Sequence, residues 1–264
     1  MPLRPDTTPV AAPVTRRLLG LEVVVVLALS LGASAIYAVI DLVRSAVVAL
    51  EHHQALSAQT TTVVGSVDTH PYFDLAYQLV GVAVELAPVL LVAYLLARSR
   101  ERLADLGLDR ARAGPDLAVG AGLAAVVGGA GLAALVAFKA MGLSLTITVG
   151  SSHHYWWTIP LLIVQAAGFA IEEEVIVGAY LLHRLDQLGW SENRSLVTSA
   201  LLRGAYHLYQ GPGQFLSNAV LGLLFGRIFQ RTRRAAPLVV AHFLVDAVAF
   251  VGYLELKGHV SWLP

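Results

Sequence analysis

The chain has 264 residues, of which 56% are hydrophobic and only 14% charged, with a mean hydropathy of +0.67. A soluble domain carries about 25% charged residues, so this composition excludes an ordinary water-soluble globule and predicts an integral, multi-pass membrane protein. The formal net charge is zero and there is no cysteine, which excludes a basic nucleic-acid-binding domain, disulfides and thiolate metal sites.

Residues 1–13 are proline- and threonine-rich and read as part of a cytoplasmic tail, 1–17. The first apolar segment covers residues 18–50, contains Val23-Val24-Val25-Val26 and is interrupted by Glu22, Asp41 and Arg44. Asp41 and Arg44, at i,i+3, are placed to pair near the helix end. Residues 52–70 form a polar loop rich in threonine and serine. A second helix covers 72–97, with Glu85 in its middle and Pro88 placed to kink it. The charged stretch 98–112 reads as a surface helix or loop on the membrane face.

The third span, 117–141, is built from alanine, glycine, leucine and valine, and its small residues favour close packing. A loop containing Ser151-Ser152-His153-His154-Tyr155-Trp156-Trp157 follows, its paired tryptophans suited to the membrane interface. The fourth helix, 159–188, carries Glu172-Glu173-Glu174. The fifth, 193–209, carries Arg203 and His207. The sixth, 215–229, is short and ends in Gln230-Arg231-Thr232-Arg233-Arg234. The seventh, 237–254, contains His242 and Asp246.

Arginines concentrate before the first helix, between the second and third, between the fourth and fifth, and at the sixth–seventh junction. Seven helices in the cell membrane with a cytoplasmic N-terminus satisfy the positive-inside rule at each junction. The expected fold is an all-α transmembrane bundle, with N-terminal helices over 18–150 and a core of helices over 151–264 that carries the chemistry.

Three adjacent carboxylates inside an apolar run need partners or a purpose, because each charge at mid-bilayer costs roughly 2.5–3.5 kcal/mol on insertion scales. Glu172, Glu173 and Glu174 span about 200° of a helical wheel, so they cannot all face one neighbour. His242 and Asp246 are i,i+4, as are Arg203 and His207, and each pair shares a face. Two imidazoles, several carboxylates and a guanidinium on three helices suit water activation, metal binding or proton relay. Glu22 and Glu85 read as structural or interfacial.

The same residues resemble the CAAX-prenyl-protease and bacteriocin-processing (CPBP, or Abi) membrane endopeptidases. Glu173-Glu174 with Gly178 and Tyr180-Leu181 is similar to their Glu-Glu-x-x-x-Arg motif, which is usually followed by Gly-Tyr-Leu. Arg203-Gly204-Ala205-Tyr206-His207 is similar to Phe-x-x-x-His. His242-Phe243-Leu244-Val245-Asp246 is similar to His-x-x-x-Asn or Asp. Order and spacing agree over about residues 167–252. Two positions depart: Gly178 stands at the motif arginine and Arg203 at the phenylalanine, so Arg203 is expected to restore the missing charge beside the glutamates. The triple acid also admits a second register, Glu172-Glu173 with Val177 at the arginine position.

The resemblance implies an intramembrane endopeptidase. Glu173 with His207 would activate water, Glu174 would support the site, His242 would stabilise the oxyanion, and Asp246 would fix the tautomer of His242. It leaves both a zinc-type divalent metal and metal-free glutamate chemistry open. The substrate would be a membrane-associated peptide or protein in the lipid bilayer. Competing readings are an inactive membrane scaffold on the same fold and a proton-coupled transporter, although no internal repeat of the transporter kind is seen.

Overall fold

The computed structural model describes residues 15–150 and 155–260. The proline-rich tail and Ser151-Ser152-His153-His154 lie outside the described residues. The protein is a helical membrane bundle with one small sheet. Its α-helices are α1 (Arg16–Ala28), α2 (Leu31–Glu51), α3 (Pro71–Glu85), α4 (Ala87–Arg98), α5 (Ala113–Ala140), α6 (Thr158–Glu173), α7 (Leu181–Gln187), α8 (Glu192–Ala205), α9 (Pro212–Thr232) and α10 (Ala236–Leu256). Among the described residues, four stretches are long and apolar enough to cross a bilayer: α2, the α3–α4 unit, α5 and α10.

The first apolar segment is two helices rather than one. The chain breaks at Leu29–Ser30, where the Ser30 hydroxyl donates to the Val26 carbonyl (2.7 Å) and occupies an acceptor that a continuing helix would use. Asp41 and Arg44 are both exposed and form no ion pair with each other. The α3–α4 unit bends at Leu86, with Pro88 inside the first turn of α4, where its missing N–H is not needed. The stretch after α4 is not a surface helix. It is a loop with one 3₁₀ turn, Leu103–Leu106, that buries Leu106 completely.

Two loops at the opposite end contain strands absent from the sequence reading. β1 (Thr60–Val64) pairs in parallel with β2 (Thr146–Val149), and the Thr62 and Thr148 hydroxyls meet at 2.9 Å. This strand end also receives the turn after α8. The Leu145 N–H donates to the Gln210 carbonyl (2.9 Å), and the Gly213 N–H donates to the Leu143 carbonyl (2.7 Å). Gly211 sits there at φ 110°, and a Cβ on it would lie 2.8 Å from the Leu143 carbonyl oxygen.

The other end gathers the arginines. Arg98 pairs with Glu22, and Arg184, fully buried, pairs with Glu101. Glu101 also accepts from Gln187 (2.7 Å) and lies 2.7 Å from His183. Burial raises the Glu101 carboxyl, but the His183 and Arg184 contacts outweigh it and hold the group below its ordinary value of 4.5. Arg234 ties Asp109 (3.3 Å) to Asp116 (2.6 Å), and that contact holds Asp109 low. Successive crossings therefore alternate between an arginine end and a strand end, with Arg16 at one and Leu256 at the other. The small residues of α5 serve packing in part: a Cβ on Gly120 would collide with Val240 of α10 at 2.6 Å, whereas Gly122 and Gly129 face open space.

Candidate active site

The glutamate helix does not stay α-helical. From Glu174 to Tyr180 it winds as a π-helix, with all seven residues buried, before continuing as α7. A π segment makes i→i+5 bonds and occurs mostly at functional sites. The Ser199 hydroxyl of α8 donates to the Val177 carbonyl (2.8 Å), satisfying an acceptor within this segment.

Glu174 is fully buried. Its Oε1 accepts from Arg203 Nη2 (2.6 Å) and lies 2.9 Å from His242 Nδ1. The His242 Nε2 is 3.3 Å from Asp246 Oδ2. Arg203, only 1% exposed, also approaches Glu173 Oε2 (3.4 Å) and His242 Nδ1 (3.1 Å), with its guanidinium 5.5 Å from the centre of the Phe225 ring. Tyr206 donates to the same Glu173 oxygen (2.7 Å).

His207 lies just beyond α8, at the start of a 3₁₀ turn, and not on the helix as expected. Its Nδ1 donates to the Arg203 carbonyl (2.9 Å), which leaves Nε2 as the lone-pair nitrogen of the neutral ring. No direct hydrogen bond joins His207 to Glu173, although the two are electrostatic neighbours.

The structure thus brings Glu173, Glu174, Arg203, His242 and Asp246 together from α6, the π segment, α8 and α10, with His207 at the margin. Glu172 is not part of this cluster. Its neighbours are the carboxylates of Glu173 and Glu85, and no hydrogen bond holds its side chain among the described residues. Arg203 lies beside the glutamates. Gly178 adjoins them as well: a Cβ there would stand 2.7 Å from Glu174 Oε2, a buried oxygen with no hydrogen-bond partner.

One participant was not singled out from the sequence: Tyr206 adjoins His207 but occupies a position the motif leaves open. Glu85, read from the sequence as structural or interfacial, lies outside the cluster as an electrostatic neighbour of Glu172 and Glu173.

As arranged, these donors do not fit a divalent ion. Arg203 fills the centre of the cluster with positive charge, and both nitrogens of His242 face carboxylates. Among the described residues, no group of three or more His, Asp or Glu side chains is placed to hold a metal.

Fold and site together define a multi-pass helical membrane protein with a carboxylate, guanidinium and imidazole centre buried among its helices. The family model for type II CAAX prenyl endopeptidase Rce1-like proteins matches residues 155–248, the segment that contains every one of these site residues except Glu85. The match supports placement in the CPBP/CAAX protease family and, in general terms, an intramembrane CAAX protease-type function. No curated protein and no solved structure matches the chain.

Proposed function

We propose that the protein is an intramembrane endopeptidase that hydrolyses a peptide bond of a membrane-associated peptide or protein, using water activated by Glu173 and His207 without a resident metal. The observation that carries this reading is the division of labour between the two glutamates. Glu174 is committed to Arg203 and His242, whereas Glu173 is held through Oε2 alone, by Tyr206 and Arg203. Its Oε1 remains an acceptor, and the Nε2 of the nearby His207 forms no hydrogen bond among the described residues.

Water between these two groups loses a proton as its oxygen attacks the carbonyl carbon. The His242 Nε2–H, only loosely held by Asp246 at 3.3 Å, donates to the oxyanion, and the abstracted proton passes to the leaving amine. Arg203 sets its positive charge against both acids, 2.6 Å from Glu174 and 3.4 Å from Glu173. We place the arginine end in the cytoplasm by the positive-inside rule.

The test is cleavage of a peptide library by purified protein, wild type beside Glu173→Gln, with and without chelator. We expect wild-type cleavage that is insensitive to chelator and falls by about 10²–10⁴-fold in Glu173→Gln, the usual range for a general base. Cleavage undiminished in Glu173→Gln overturns the mechanism, and loss with chelator overturns its metal-free form. The scaffold reading draws on Gly178 at the motif arginine, and saturable peptide binding without turnover would favour it.

A further inference from the structure

We propose that the interface between α3 and α6 is a water-binding seam that leads from the strand end to the glutamates and supplies the hydrolytic water. The supply role rests on the protease reading, but the seam itself does not.

Asp74, Gln78, Val82 and Glu85 recur at i, i+4, i+8 and i+11 and share one face of α3. Leu161, Gln165, Gly168 and Glu172, at i, i+4, i+7 and i+11, share one face of α6. The Asp74 carboxylate accepts from Gln78 (2.7 Å), and Gln78 accepts from Gln165 (2.9 Å). Such a bond alone is ordinary helix–helix glue in a membrane.

Three further features go beyond glue. Gln165 is only 8% exposed, yet its Oε1 has no partner, and the Oε1 of Glu85 is buried and equally unpartnered. In hydrocarbon each such atom costs several kcal/mol unless something satisfies it. Gly168 makes room for the Glu85 carboxylate against α6, since a Cβ there would stand 3.3 Å from both Glu85 Oε1 and Val82 Cγ1. At the strand end the seam opens into a cavity lined by Asp74, Gln78, Tyr155, Trp157 and Thr158. It offers water molecules about 20 Å³, above the roughly 10–15 Å³ that one ordered water requires.

From Gln78 to Glu85 the helix rises about 10 Å, a distance that three or four waters at hydrogen-bond spacing of about 2.8 Å would bridge. The far end of the seam, Glu85, is an electrostatic neighbour of Glu172 and Glu173. The seam therefore ends within electrostatic range of the proposed base.

The experiment is hydroxyl-radical labelling by X-ray pulses, in which bound water is itself the reagent, on the full chain in lipid nanodiscs. Val82 is the reporter, and the outward-facing Val80 and Val84, 61% and 65% exposed in the protein alone, are the lipid-shielded controls. We expect Val82 to be labelled about tenfold faster than either control, as befits ordered internal water. In Gln165→Leu, which removes the polar rung at similar volume, Val82 should fall to the control rate, with Gly168→Ala as the second variant should Gln165→Leu fail to fold.

On a cleaved peptide, Gln165→Leu should lower kcat about fivefold or more, with KM unchanged. Wild-type Val82 labelled no faster than Val80 overturns the seam, whatever the catalytic result. Labelling lost in Gln165→Leu with kcat intact overturns the supply role. A labelled seam in a wild type that cleaves nothing defeats the protease reading and leaves the seam standing.

Discussion

If Arg203 supplies the charge that the family motif places at position 178, exchanging the two residues should preserve what removing one destroys. Arg203→Phe restores the motif's second-helix residue and sets a ring near Phe225, where the guanidinium now lies 5.5 Å from the ring centre. It also strips the cation from Glu174, which is fully buried at 2.6 Å from Arg203. Breaking one side of a buried pair costs about 3–5 kcal/mol, roughly 10²–10⁴-fold in the folded-to-unfolded ratio. Gly178→Arg alone places a second cation beside Arg203 and pushes its Cβ to 2.7 Å from Glu174 Oε2, an overpacking expected to cost about 1–3 kcal/mol. In the double variant the new arginine meets that unpartnered oxygen. The double should be more stable than the sum of the two single losses allows by about 1–3 kcal/mol, a coupling of the size contacting residues give. Unfolding in mixed micelles, followed by tryptophan fluorescence for all four proteins, measures the cycle. Strictly additive losses refute charge replacement.

Other expectations follow from the same geometry. Glu173→Gln and His207→Ala should each remove most hydrolysis, with the double little worse than either, because groups acting as a unit are non-additive; additive losses in kcat/KM would separate their roles. Tyr206→Phe deletes a 2.7 Å bond to Glu173; bonds to charged groups contribute about 1.5–3 kcal/mol to stability, so the unfolding midpoint should fall by several degrees, and turnover should fall with it if the bond holds Glu173 in place. Glu101 is held below its ordinary value, so its contribution to stability is complete above pH 4.5 and is lost as the pH falls below that. The acid limb of a stability–pH profile should therefore flatten in Glu101→Gln, and an unchanged limb would remove Glu101 as its source. Reporter fusions at Arg110 and Gly258 should report opposite sides of the membrane; the same side for both would break the alternation of ends.

The membrane class and the path of the chain were legible because a crossing needs only length and apolarity, and arginines mark one end. The discrepancies lie where one polar atom redirects the backbone. Ser30 ends α1 within a run of valines and leucines that reads as continuous. The sheet was hidden because Thr60–Val64 and Thr146–Val149 are short and far apart in sequence, so that neither pairs within its own loop. Position 207 illustrates the limit of periodicity. The i−4 spacing from Arg203 does link the two residues, through the Arg203 carbonyl rather than through a shared helix face. Glu85 and Gln165 left single polar letters in apolar helices, and only the packing of α3 on α6 shows that they adjoin the site.

The departures at 178 and 203 belong to one physical problem, which is where to attach the positive charge that faces two adjacent acids among the helices. A cation at 178 would approach Glu174 along its own helix, through the wide π winding. A cation at 203 approaches across the α8 interface and reaches further, contacting Glu174, Glu173 and His242 from a single Nη2. Relocation leaves Glu174 Oε2 without a partner, and glycine at 178 is what lets that carboxylate lie flat against the helix. The charge stays within hydrogen-bond reach of the same carboxylate while its attachment moves to another helix. The positive charge beside Glu174 is therefore retained, and the motif's letters are not. A search for the arginine letter alone would discard this chain, whereas asking where the positive charge sits keeps it.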